Sequence, residues 1–187
     1  MRPPDPEAYG RVTNPGRYAM VVDTARDLVG SLVRGYDVEM TDGDAATDFP
    51  QWTGPEGDTI RLLPWRGVPL AFLFTGFPGV LVRFGTWGEE AFPSCGCDAC
   101  DEDPTEVADR LTRLVQCAVD GNYREQLTRR WLDRSFSGSW GTERSHGRLR
   151  RAERHRLGRR GLNDWPPWTS RPPVGGPQQG EPKPDLW

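Results

Sequence analysis

Three of the four cysteines in this 187-residue chain fall inside six consecutive positions, as Cys95-Gly96-Cys97-Asp98-Ala99-Cys100, and the fourth, Cys117, stands alone further on. Cysteines kept for packing behave as small apolar residues and scatter through a core, so packing gives no reason for this cluster. Thiolates aimed at one point hold a soft metal ion, and zinc takes four tetrahedral ligands from Cys, His and sometimes Asp or Glu. Cys97-x-x-Cys100 has knuckle spacing. Cys95 reaches the same point if the chain turns at Gly96, where the lack of a Cβ permits φ > 0.

The candidate ligand set is therefore Cys95, Cys97, Cys100 and Cys117, and the expected cofactor is a structural zinc ion. Cys117 is the weak member. Residues 104–117 read as helix, and thirteen residues of helix rise by about 20 Å, so the loop must fold back to bring its sulfur to the others. Asp98, Asp101, His146 and His155 are the substitutes for a fourth ligand. The alternative is a thiol redox site at Cys97 and Cys100, ahead of a helix N-terminus that lowers thiol pKa. Against it, Asp98, Asp101, Glu102 and Asp103 surround the sulfurs with negative charge that disfavours a thiolate. Unligated thiols without a role are the third reading.

Other chemistry has little support. No GxSxG, P-loop, GxGxxG or HExxH pattern occurs. Seven of the eight tryptophans precede the C-terminal residue and could line a pocket, but core and edge packing is their commoner fate. The opening Met1-Arg2-Pro3-Pro4-Asp5-Pro6 lacks the apolar stretch of a secretory signal, and Val68 to Phe74 is far short of the ~20 residues a spanning helix needs. A cytoplasmic protein without a membrane partner is the expectation, and in a reducing compartment clustered cysteines serve metals or catalysis rather than disulfides.

Two helices are clear. Asn14-Pro15 has the N-cap and first-turn chemistry of a helix start, and Tyr18, Val21, Val22, Ala25, Leu28, Val29, Leu32 and Val33 follow helical spacing up to Gly35. Asp103-Pro104 with Glu106 opens the second, whose apolar face is Val107, Leu111, Leu114, Val115 and Ala118, ending at Gly121. Between them, residues 36–40, 59–63, 70–76 and 79–85 read as strands, the last two as a hairpin, with 41–57 an acidic loop. The pattern predicts an α+β fold: an antiparallel sheet of about four to six strands with two main helices packed on it. Residues 1–13 form an irregular segment, 14–165 one domain and 166–187 a disordered Pro/Gly-rich tail. Residues 127–140 hold one or two strands, and 145–160 read as an arginine-rich helix.

Charge is segregated. Residues 1–123 sum to −10 and residues 124–160 to +8, the latter with twelve arginines against four acids. Lysine occurs once, at Lys183, so arginine abundance follows residue usage and is weak evidence of function. The expectation is that the basic segment lies across the acidic body; the alternative is an anionic or protein partner docking on residues 144–160. Aromatics for base stacking are sparse there, which makes nucleic acid an unlikely partner.

Residues 92–102, Phe-Pro-Ser-Cys-Gly-Cys-Asp-Ala-Cys-Asp-Glu, resemble the signature of an uncharacterised actinobacterial domain family, one marked by CGCDACDE. Tyr9 to Pro15, Phe77-Pro78-Gly79 and Trp165-Pro166-Pro167-Trp168 are similar to other parts of it. The resemblance spans residues 9–168 and implies one domain with a shared cysteine segment. It implies no activity, cofactor or partner. The sequence therefore points to a binding or interaction module of unknown activity, stiffened by a metal knuckle.

Overall fold

The computed structural model describes residues 6–55, 57–151, 153 and 157–172. A 3-10 turn at Pro15–Tyr18 leads into helix α1, Ala19–Gly35. Asn14 makes no side-chain cap bond and Gly35 is still helical, so both ends lie a few residues from where the cap signals put them. The stripe itself is as read: Val21, Ala25, Val29 and Leu32 are buried.

Five strands follow as an antiparallel meander, β1 Val38–Asp42, β2 Thr59–Pro64, β3 Leu70–Phe74, β4 Val80–Phe84 and β5 Gly88–Phe92, hydrogen-bonded in that order. β3 is buried along its whole length because both faces are covered. Leu70, Phe72 and Phe74 face the main core with α1 and the second long helix. Ala71 and Leu73 face a second cluster, closed by Phe49 and Trp52. The segment 41–57, read as loop, therefore contains a short helix, α2 Ala45–Asp48, that carries Phe49 over the back of the sheet.

β5 carries Glu89 and Glu90 and gives no apolar signal. It is a strand because arginines neutralise it: Arg83 lies 3.6 Å from Glu89, while Arg110 and Arg134 hold the two oxygens of Glu90 at 2.9 and 3.0 Å.

Helix α3, Pro104–Val119, starts on Asp103, whose carboxylate accepts from the Thr105 and Glu106 amides at 2.7 and 3.1 Å. Those amide bonds hold the Asp103 carboxyl below its ordinary range. The cap thus contributes stability above the unfolded value of about 3.9 and loses it as pH falls through the lower folded value. We expect Asp103→Ala to melt below wild type at neutral pH, with the gap shrinking below about pH 4. A pH-independent gap in scanning calorimetry would show that the charge is irrelevant.

A second antiparallel sheet follows α3, ordered β8-β7-β6-β9, with β6 Tyr123–Leu127, β7 Trp131–Gly138, β8 Gly141–Arg148 and β9 Gly161–Asp164. The fold is α+β as expected, with nine strands among the described residues divided between two sheets. Residues 145–148, read as the start of an arginine-rich helix, are strand β8. The charged positions alternate along an extended chain facing solvent, a pattern with no helical apolar stripe.

The sheets meet through Phe84, Tyr123 and Phe136, whose ring centroids lie 4.6–5.7 Å apart. Glu125 seals the same junction. The disordered tail expected from residue 166 is corrected for residues 166–172. Trp168 is 4% exposed, and residues 168–171 bond the ends of α3 and α1. Residues 173–187 lie outside the described residues. No helix among the described residues is long and apolar enough to cross a membrane.

Candidate metal centre

The cysteine segment leaves β5 at Phe92 and reaches α3 at Pro104. Cys97 turns the chain: its carbonyl accepts from the amides of Cys100 and Asp101, both at 3.2 Å. That turn folds Cys100 back toward Cys95 and Cys97. The three sulfurs lie within 4.8 Å of one another, with Cys95 and Cys97 3.2 Å apart. Gly96 serves by close approach rather than by positive φ, since a Cβ there would collide with the Phe77 ring.

The acidic residues of the segment are stitching. Asp98 accepts from the Thr13 amide at 2.9 Å, the Thr13 hydroxyl at 3.1 Å and Arg11 at 3.1 Å. Asp101 pairs with Arg17. Glu102 accepts from the amides of Ser94 and Cys95 at 3.2 and 2.6 Å, and Asp103 caps α3. The Asp98 and Ala99 amides bond the carbonyls of Arg11 and Ala8 at 2.9 and 3.3 Å. The N-terminal segment is thus pinned to the knuckle, a role for the carboxylates that their spacing alone did not reveal.

Cys117 does not join the other sulfurs. It lies near the far end of α3, buried, with its thiol directed at the carbonyls of Ser137 and Asn122 at 3.2 and 3.4 Å. The reason is the helical rise that made it the weak member: the cysteine segment continues straight into α3 and does not run back along it. Burial pushes its thiol pKa up, which fits a packed, protonated side chain. Of the substitutes, Asp98 and Asp101 are engaged as above. His146 pairs with Asp133 on β7 and stacks on Trp131, and His155 lies outside the described residues.

Within the cluster the thiols compete for protons. The Cys95 thiol donating to Cys97, with the Cys100 amide, lowers the Cys97 pKa. Cys100, next to two other sulfurs, is pushed up to about 12. In a tetrahedral zinc site with Zn–S near 2.3 Å, sulfurs stand about 3.8 Å apart. The three sulfurs, all within 4.8 Å of one another, are close enough together for such a site, and the donor set is compatible with a soft divalent ion.

The fold and the cluster define an α+β domain of two antiparallel sheets and two long helices, with three thiols gathered at one bend. The chain belongs to DUF6226, a family of unknown function whose model matches residues 1–172. That span includes Trp168, in agreement with its burial. No curated protein and no solved structure matches the chain.

Proposed function

We propose that Cys95, Cys97 and Cys100 hold one zinc ion as a structural centre, in a domain that acts as a binding or interaction module in a reducing, cytoplasmic setting. One observation carries this reading: three sulfurs within 4.8 Å of one another on a bend stitched to the N-terminal segment and to α3. Thiolates so close would repel, which keeps unligated cysteines protonated; a divalent cation offsets that repulsion and displaces the protons. The neighbouring carboxylates are spent on amides and arginines, and Cys117 points elsewhere. Among the described residues the fourth position is left to a water or a group from another molecule.

The test is bound metal per chain by elemental analysis after expression with added zinc. One equivalent is expected for the wild-type chain and for Cys117→Ser, and well under half for Cys97→Ser and Cys100→Ser. Substoichiometric metal in the wild type, or equal loss in Cys117→Ser, overturns the reading.

A thiol redox function has one observation in its favour, the Cys95 thiol that lowers the Cys97 pKa at 3.2 Å. It pairs Cys97 with Cys95 rather than with Cys100. Against it, Cys97 is 6% exposed, whereas reactive thiols sit where reagents reach them. Alkylation separates the two: ligated sulfurs label only after chelation, and a redox thiol labels at once.

A further inference from the structure

Among the described residues, the arginines of 124–160 do not pair across the acidic body as their charge predicts. Of these, Arg134 alone forms an ion pair with that body, through Glu90 at 3.0 Å. The four acids of the segment are also taken. Glu125 is buried among five donors, Glu143 holds Arg110, Asp133 holds His146, and Glu153 accepts the Arg150 amide. Among the described residues no carboxylate lies within ion-pair distance of Arg124 or Arg144.

Strand register then places those two cations together. Arg124 pairs with Ser135, and Ser135 with Arg144, so the three share one rung across β6, β7 and β8. At ordinary strand spacing the two arginines stand about 10 Å apart astride Ser135, close enough for both guanidinium groups to meet over it. The next rung adds Gln126, Asp133 and His146. With Arg134 below, these line an open concavity of about 400 Å³ on the outer face of the sheet. Two carboxylates stand near the rung: Asp133 lines the concavity and is paired with His146, and Asp164, beside Arg124 in the register, does not line it.

We infer that this concavity binds a small soluble phosphate ester, held as a dianion between Arg124 and Arg144 with Ser135 and Gln126 donating to it. Guanidinium forks match phosphate oxygens two at a time, and two forks on one anion suit a doubly charged group. The volume is that of a small-ligand site. A nucleic-acid strand is a poorer fit, because the neighbouring aromatic, Trp131, is already stacked on His146 at 4.3 Å. This site is independent of the cysteine cluster.

The experiment is calorimetric titration of the full chain with glycerol 3-phosphate at low salt, with Arg124→Ala, Arg144→Ala and Arg144→Lys alongside. Saturable binding with Kd below about 1 mM is expected. It should weaken about tenfold or more in each alanine variant and severalfold in Arg144→Lys, which keeps charge but loses the fork. Both arginines are exposed, and unchanged melting temperatures confirm folding; should an alanine variant fail that check, Arg144→Lys carries the test. No saturation by several millimolar, equal affinity in folded variants, or binding seen only with oligonucleotides or phosphatidate vesicles overturns the proposal.

Discussion

Replacing Glu125 with alanine lowers the stability of the chain by on the order of 4 kcal/mol, read from urea unfolding, and its melting temperature by roughly ten degrees. The reason is the number of groups left without a partner. One Glu125 oxygen accepts from the Thr86 amide at 2.8 Å and the Asn163 side chain at 2.9 Å. The other accepts from the amides of Trp87 and Gly88 at 2.9 and 3.0 Å and from the Tyr123 hydroxyl at 3.0 Å. The carboxylate is fully buried, so water does not replace it. Three consecutive amides of the β4–β5 turn, in one sheet, thus depend on a side chain from the other.

Alanine leaves those donors buried and unsatisfied, each at about 1–3 kcal/mol before relaxation. Glu125→Gln is the sharper control. Its volume is unchanged, but one oxygen becomes an NH₂ group facing donors, so it should lose at least half as much as alanine. A loss under about 1 kcal/mol in both would show that the sheets do not depend on this contact.

Ending the chain at residue 165 abolishes cooperative folding at 37 °C, and Trp168→Ala alone removes about 3–5 kcal/mol. Trp168 packs edge-on against Tyr36 at 5.7 Å, and its indole N–H donates to the Val68 carbonyl at 2.9 Å. Its amide bonds Val119, while Thr169 and Arg171 bond Asp37 and Gly35, each at 2.8 Å. Gly67 meets the indole with φ +106°, leaving no room for a Cβ. Trp168→Phe should recover part of the loss, because it keeps most of the apolar area but leaves the Val68 carbonyl without its donor. A truncated chain that unfolds with the wild-type midpoint would return the segment to the tail.

The elements legible in the sequence were those whose periodicity was undisturbed by charge. α1, α3 and the hairpin of β3 and β4 carry unbroken apolar patterns, and each stands within a few residues of its expected place. β5 and, apart from a strand reading over residues 127–140, the second sheet were hidden for one reason. Their inward positions include Glu90, Glu125 and Arg134, whose partial or full burial depends on partners 20 to 44 residues away in the chain. Periodicity counts such residues as solvent-facing. Trp168 was hidden by composition, since the prolines around it read as disorder. At the cysteine site the local geometry was legible from spacing, including the weakness of Cys117. The use of Asp98, Asp101 and Glu102 as anchors was not, because those bonds close onto residues more than eighty positions upstream or onto the preceding turn.

β8 is the outermost strand of its sheet, eight residues long, and nearly all of it faces solvent. Such a rim offers a row of unpaired amides and carbonyls to any passing chain. Arg144 and Arg148 stand along it on one face, so two molecules approaching rim to rim bring like charges together. Dilute buffer should therefore keep the protein monodisperse. Concentrated salt, or loss of these cations, would remove the barrier and let strands of separate molecules join into fibres.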